Sequence, residues 1–517
     1  MAPKYFRWLM IVFVIGGLFS AFRVGLDRGF EHTIGAEAYG RIGFATCAAI
    51  TDLAHRGPGG YVCNSVVETV LTNAGLTGDE QVLAALGIKY PDNLRNQTLI
   101  DNAIKKAVLF PITPAHTQIR GAGSDDIGLV DFVKLAFTLF GYNFLSLYLA
   151  YFTILGASVW AFFLAFGDRP AYLATLAVAV FAHLVLLNSA IFDFTPYTFG
   201  TVTNPRFLSA IATIPGLHIA FSMMSDTRID WRRAILVAFQ ASIVVFAISI
   251  RAVAIWVPFG LVILGTALWL SRRSPRSLWP LGMLLGIWVV HAVYIIQVLN
   301  PIYARTGGTG SHTIWHSIYY SLQVHPNWKT KYGESHRNAT GDNQPWAAAE
   351  NYLARHPIQK GDVPLYFDDG YPSYVGMEKY VRAAFFEFAR SDPKFVIETF
   401  LIYKPRELFL LTGKYFIDAL YPKGVAIWLW NGLLVVLVAF FATHRAELIE
   451  LFKASSLVTG ALFASIAPLL ITVPVISDYL FVLTICAGLW IALLCAVLVR
   501  CTMLLLHRRA LAPATHD

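Results

Sequence analysis

The sequence predicts an all-α polytopic membrane protein, with about ten transmembrane helices and two long outer-face loops that contain amphipathic helices. Three observations carry this. Hydrophobic residues make up 56% of the chain and charged residues only 14%, with a mean hydropathy of +0.57, against roughly 45–50% apolar and 25% charged in a soluble domain. Apolar runs of about 17–25 residues, enough to cross a bilayer, recur along the chain. Lys and Arg gather in the short connections between alternate runs.

The runs are Tyr5 to Gly25, Tyr142 to Phe166, Ala171 to Ala190, Phe207 to Met224, Ala234 to Ile250, Ala252 to Leu270, Leu278 to Val298, Val425 to Thr443, Leu457 to Val475 and Tyr479 to Val499. The first follows Lys4 and Arg7 and reads as a signal peptide or as an anchor; "FSAFRVG" has no small-x-small cleavage site, which favours the anchor. "GDRP", "SDTRIDWRR", "SRRSPRS", "HRAELIELFKAS" and the tail "CTMLLLHRRALAPATHD" fall on one side with the N-terminus. Both termini are therefore expected in the cytoplasm, and 26–128 and 299–423 on the opposite face, most simply the periplasmic face of a bacterial inner membrane. The chain then divides into a transmembrane module 1–298 that includes the first outer loop 26–128, an outer-face region 299–423 and C-terminal transmembrane helices 424–517.

No basic, aromatic-studded motif points to nucleic acid, and no nucleotide-binding glycine pattern or zinc spacing is present. Cys47 and Cys63 share the first outer loop, where an oxidising compartment allows a disulfide; the helix expected around Cys47 need not approach Cys63, so the pairing stays open. In that loop "GAEAYGRIGFATCAAITDLAHRG" sets Ala38, Ile42, Ala45 and Ala49 at helical spacing, which predicts an amphipathic helix on the membrane surface. "NQTLIDNAIKKAVLF" predicts a second helix, ended by the turn "PITP". The loop returns to the membrane through "GAGSDDIGLVDFVKLAFTLFG", with the adjacent acids Asp125 and Asp126 ahead of an apolar helix. Neighbouring carboxylates repel and resist burial, so the pair is solvated, neutralised by a cation or held for chemistry.

One span, a long outer loop built on amphipathic helices, many further spans and a late outer region resemble the GT-C superfamily of membrane glycosyltransferases. Glu37 in "AEAYGRIGFA" stands where many members carry an acid after the first span, and Leu139, Phe140 and Gly141 match the "LFG" that ends the family's entry into its second span. Here Asp125 and Asp126 replace the prolines usual in that stretch. The resemblance implies inverting hexosyl or pentosyl transfer from a polyprenyl-phosphate-linked sugar to a glycan or lipid acceptor on the outer face. Because phosphate is already a good leaving group, the enzyme chiefly needs a carboxylate base for the acceptor hydroxyl.

Glu37 is the first candidate base, by its match to the family's acid, and Asp125 and Asp126 the second. The plain alternatives are a solvated helix residue for Glu37 and a helix N-cap for the pair. The aspartates also leave room for a divalent cation as cofactor; nothing else implies one. Arg251, between two apolar runs in "FAISIRAVAIWVPFG", offers a fork of donors to the carrier phosphate or, alternatively, snorkels as an anchor. Arg206 in "GTVTNPRFL" is a second phosphate candidate. His312 and His316, four apart in "GSHTIWHSIYY", share a face if that stretch is helical and then suit pyrophosphate or sugar better than a metal, since the HExxH glutamate is missing. Three other functions stay open: a ligase or polymerase of lipid-linked glycans, a non-enzymatic assembly subunit, and a transporter or flippase of glycolipid, although repeated halves and mid-membrane acids expected of a transporter are not visible.

Overall fold

The structure, a computed structural model, describes residues 2–31, 36–57, 59–73, 97–111, 119–121, 127–188, 205–225, 230–272, 278–303, 314–332, 343–359, 362–366, 373–410, 413, 425–466, 470 and 476–511. Helix dominates because a chain in lipid has no water to satisfy its backbone and must bond it internally. Along the chain, α1 (Pro3–Glu31) is followed by α2 (Ala36–Leu53), strand β1 (Val62–Asn64), α3 (Ser65–Asn73), α4 (Gln97–Leu109), strand β2 (Ile119–Gly121) and α5 (Ile127–Phe140). Next come α6 (Leu145–Phe166), α7 (Pro170–Asn188) and the short α8 (Pro205–Leu208), which a 3-10 turn over Ser209–Ala212 joins to α9 (Thr213–Met224). After α10 (Trp231–Ile250), a 3-10 turn over Ala252–Ile255 leads into α11 (Trp256–Arg272), and then α12 (Trp279–Val298). The second outer segment holds α13 (Ile314–Tyr320), α14 (Trp328–Tyr332), α15 (Asn343–Arg355), α16 (Tyr374–Ser391) and α17 (Pro393–Glu398), which runs on through a π turn over Thr399–Tyr403. Finally α18 (Val425–Thr443), α19 (Arg445–Ile466) and α20 (Ile476–Leu511) complete the bundle.

Among the described residues, six helices are long and apolar enough to cross a membrane: α1 over Pro3–Leu26, α6, α10, α12, α18 over Ala426–Thr443, and α20 over Phe481–His507. Three more expected spans are shorter apolar helices, over Pro170–Val185, Ser209–Met224 and Trp256–Arg272. The last, Leu457 to Val475, is helical as far as Ile466 within α19. These pack into one large apolar core. Gly17 lets α1 lie against Val180 and Phe181 of α7, and Phe6 stacks on Phe440 of α18 at 3.9 Å. Polar groups inside the bundle bond across helices: Ser158 Oγ donates to Gln240 Oε1 at 2.8 Å, and Gln240 Nε2 donates to the Ser158 carbonyl at 2.8 Å, joining α6 to α10.

Three local expectations change. "HRAELIELFKAS" reads as a polar connection, yet α19 begins at Arg445, with Lys453 and Glu450 paired at 2.6 Å on an exposed face. Phe207 to Met224 reads as one span, yet the helix is interrupted by the 3-10 turn over Ser209–Ala212. The all-α reading meets a two-stranded antiparallel sheet in which Val62 faces Gly121 and Asn64 faces Ile119.

That sheet belongs to a knot in the first outer loop. Ile42, Ala45 and Ala49 are fully buried in the main core, so α2 packs on α5 rather than resting on the bilayer alone. Cys47 of α2 and Cys63 of β1 are joined by a disulfide, with Cα atoms 5.3 Å apart. His55 Nε2 lies 2.9 Å from the Ala107 carbonyl, and the Phe144 N–H donates to Asp101 Oδ1 at 2.8 Å, tying α4 to the loop on one side and to the start of α6 on the other. The second outer segment has a separate core, with Trp328, Tyr380, Phe388 and Phe395 among its members.

Closing a loop of 16 residues in the unfolded chain should make the disulfide worth about 2–4 kcal/mol. Cys47→Ala should therefore lower the apparent Tm of the detergent-solubilised protein, Cys63→Ala should lower it equally, and the double variant should add nothing further. Additive losses would mean that the two thiols act separately.

Candidate functional site

α10 sets one corner of the site. Asp230 starts this helix by accepting from the Arg233 N–H at 3.0 Å, and at its far end Arg251 leaves helical geometry at φ −150° and ψ 118°. The Arg251 N–H still donates to the Ala247 carbonyl at 2.9 Å, while its own carbonyl accepts from the Ala254 N–H at 3.0 Å. Arg251 is thus the corner residue between α10 and the turn into α11, half-buried, at the negative end of the α10 dipole.

α5 rests directly on this corner. A Cβ on Gly128 would collide with the Ser249 backbone and lie 2.6 Å from the Ile250 nitrogen, so only glycine lets the first turn of α5 sit so close. Asp125 and Asp126 precede this contact by three and two residues, and both lie outside the described residues.

Near the corner is a cavity of about 300 Å³, lined almost wholly by apolar and small side chains. Ala254, three residues past Arg251, is part of its lining, as are Trp256, Gly260 and Ala267 of α11; residues of α9, α19 and α20 form other walls. From Trp256 to Ala267 the lining spans about 16 Å of helix.

The next turn of α5 carries a charged cluster that the sequence does not advertise. Tyr61 Oη donates to Asp131 Oδ2 at 3.0 Å; Lys134 is ion-paired with Asp52 of α2 and lies 5.2 Å from the centre of the Tyr61 ring. Burial pushes the Asp131 carboxyl up from its usual 3.8 to about 6, against the Tyr61 bond and the Lys134 charge, which pull it down. The only sequence signal is two charges, three apart, inside an otherwise apolar helix, "LVDFVKLAF".

The remaining candidates are placed less fully. Glu37 stands in the first turn of α2 and Arg206 in α8, with both side chains outside the described residues, as is the whole of His312. His316 lies in α13, which begins only at Ile314; its N–H and that of Trp315 donate to Glu378 Oε1 and Oε2, each at 2.8 Å. Glu378 is thus a cap for this short helix, with its carboxyl raised by burial. Of the two predicted site residues whose side chains are described, Arg251 directly follows the backbone on which the start of α5 rests, whereas the backbone of His316 is held within the second outer segment by Glu378 of α16. Sequence reasoning also missed Lys404, buried just past the π turn, whose Nζ donates to Ser321 Oγ at 3.2 Å and whose amine burial pushes down to about 8. Among the described residues no group of three or more His, Cys, Asp or Glu side chains is placed to hold a metal ion.

No family model and no curated protein sequence matches the chain. Two solved structures are similar to it. ArnT from Cupriavidus metallidurans bound to undecaprenyl phosphate is 14% identical over 94% of this chain and 77% of that one, with a TM-score of 0.33. The same protein in the apo state is 16% identical over 71% and 65%, with a TM-score of 0.25. At such scores neither likeness bears on the function, which has to rest on the residues of the site.

Asp131 gives the site a pH signature. Its folded value of about 6 lies above that of the unfolded chain, so its contribution to stability is complete below about pH 4 and is lost as pH rises through 6, by up to about 3 kcal/mol. Asp131→Asn stays neutral and escapes this loss. The Tm of the variant relative to wild type should therefore rise between pH 4.5 and pH 7.5; a difference that is flat with pH would show that Asp131 does not titrate in this window.

Proposed function

We propose that the chain is an integral membrane glycosyltransferase of the GT-C kind, which moves a sugar from a polyprenyl-phosphate-linked donor to an acceptor hydroxyl at its outer face. The observation that carries this reading is the position of Arg251. It lies three residues before Ala254, which lines the apolar cavity, and directly after Ser249 and Ile250, on which the first turn of α5 rests. A polyprenyl phosphate is an apolar chain ending in a dianion, and such a corner offers each part its own partner: small apolar residues along α11 for the isoprenoid units and a guanidinium fork for the phosphate. The Cys47–Cys63 disulfide supports an outer-face location for the first loop, since disulfides persist on the oxidising side of a membrane.

In this reading the acceptor oxygen attacks the anomeric carbon from the face opposite the phosphate. The bond from that carbon to the phosphate oxygen breaks, the polyprenyl phosphate leaves with the electron pair, and a carboxylate takes the hydroxyl proton. Arg251 balances the charge that grows on the leaving phosphate. Glu37 is the first candidate for the carboxylate, with Asp125 and Asp126 next; one of the three accepts the proton while the others orient the acceptor. The acceptor in this reading is a glycan or a lipid.

The test is transfer and binding by the purified protein in lipid nanodiscs. Arg251→Ala should lose most polyprenyl phosphate binding and Arg251→Lys only part, because the lysine keeps the charge and loses the fork. Equal, near wild-type binding in both would leave Arg251 as an anchor only. Glu37→Gln should bind donor normally and lose on the order of 10²–10⁴ in turnover, the usual share of a positioned base. An active Glu37→Gln beside a dead Asp125→Asn or Asp126→Asn would move the base to the pair, and normal turnover in all three would remove the carboxylate mechanism.

A further inference from the structure

A run of left-handed backbone lies in the first outer loop, where it leads into the Tyr61 that is bonded to Asp131. Gly59, Gly60 and Tyr61 follow one another at φ +66°, +73° and +65°. Glycine adopts this region freely, whereas a tyrosine there costs on the order of 1–3 kcal/mol and persists only when its surroundings hold it. The surroundings are explicit. Tyr61 is 3% exposed, its carbonyl accepts from Tyr303 Oη at 2.5 Å, and its own hydroxyl donates to Asp131. The Gly60 carbonyl accepts from the Asn300 N–H at 3.4 Å, and a Cβ on Gly60 would lie 2.5 Å from that same nitrogen. Two residues later Cys63 is pinned to α2.

Asn300 and Tyr303 are where α12 gives way to the second outer segment: the Ile302 N–H donates to Asn300 Oδ1 at 3.0 Å, and the Tyr303 N–H to the Asn300 carbonyl at 3.0 Å, so this exit is itself a tight turn. A continuous line of contacts therefore runs from the start of the second outer segment, through the backbone of Gly60 and Tyr61, to Asp131. From Asp131 it continues one helical turn back along α5 to Gly128, and from Gly128 to the backbone of Ser249 and Ile250 beside Arg251.

We propose that Tyr61 and Asp131 form a tie that fixes the Arg251 corner and couples it to the second outer segment, which makes Asp131 a positioning residue for the phosphate site. The role of the tie follows from geometry: α5 touches the corner through the face that carries Gly128, and the Tyr61 hydroxyl holds that helix from one turn away. The strained strap stores the tendency to let go, so movement at Asn300–Tyr303 reaches Arg251 along this line. The phosphate half of the statement rests on the proposed transferase function; the mechanical half does not.

The experiment is hydrogen exchange by mass spectrometry on the full-length protein in nanodiscs, read at residues 250–256 and 299–303, together with polyprenyl phosphate binding. Tyr61→Phe removes the donor and Asp131→Leu the acceptor. Each should speed exchange at 250–256 by about tenfold or more, which is a loss of about 1.4 kcal/mol of local protection. The double variant should do no more than either single one, because both break the same bond. Asp131→Asn keeps an acceptor oxygen and should keep both protection and binding. Tyr303→Phe, which touches only the far end of the line, should speed exchange at 250–256 severalfold, and it serves if the inner variants fail to fold. Unchanged exchange at 250–256 in Tyr61→Phe, or in Tyr303→Phe should the inner variants not fold, would overturn the tie. An Asp131→Asn protein that is fully protected yet fails to bind polyprenyl phosphate would overturn the positioning role, since the carboxylate would then act on the ligand directly. If wild type binds no polyprenyl phosphate, the transferase reading falls while the exchange data still decide the tie.

Discussion

The contact of Gly128 with the backbone of Ser249 and Ile250 is the constraint on which the rest of the site depends. Two helices approach this closely only where one lacks a side chain, and here the approach falls at the last residues of α10, where the chain turns outward at Arg251. An arginine at the edge of an apolar bundle can swing widely on its long stem. With α5 laid across the residues before it, and the turn Ala252–Ile255 bonded back to the Arg251 carbonyl, the backbone that carries the guanidinium has one place.

The first outer loop supplies the other half of that arrangement. Its helices bury apolar faces in the main core, its disulfide joins α2 to β1, and the Lys134–Asp52 pair fastens α2 to α5. An ion pair of this kind contributes little when fully exposed, but these two groups are only 20% and 33% exposed and are backed by the Tyr61 ring. The outcome is that the described part of the first outer loop is fastened to the bundle.

Several polar residues inside the bundle are bonded, as expected where each buried polar group costs free energy unless something bonds it. Ser158 and Gln240 satisfy one another across α6 and α10, and His218 Nδ1 lies 3.4 Å from Gln240 Nε2. Thr175 and Ser455 turn their hydroxyls back onto the carbonyl four residues earlier. These bonds tie the helices of the bundle together.

Hydropathy by itself determined where the long apolar helices lie, because lipid leaves an apolar run of sufficient length little choice but to be helix. The spans at Ala234 to Ile250 and Leu278 to Val298 lie within a few residues of α10 and α12, and Arg251 was legible as a lone charge between two apolar runs. The helix over "NQTLIDNAIKKAVLF" was legible for a similar reason, its amphipathic period. Only the tertiary structure decided that Cys47 meets Cys63, that Tyr61 meets Asp131 across 70 residues, and that Gly60 lies against Asn300. Such contacts depend on how helices far apart in sequence are laid side by side, and no local pattern encodes that. Asp131 shows the difference most clearly: in the sequence it is a weaker signal than its neighbours Asp125 and Asp126, and what sets it apart is burial beside a tyrosine hydroxyl, a property of the packed structure and not of the residue.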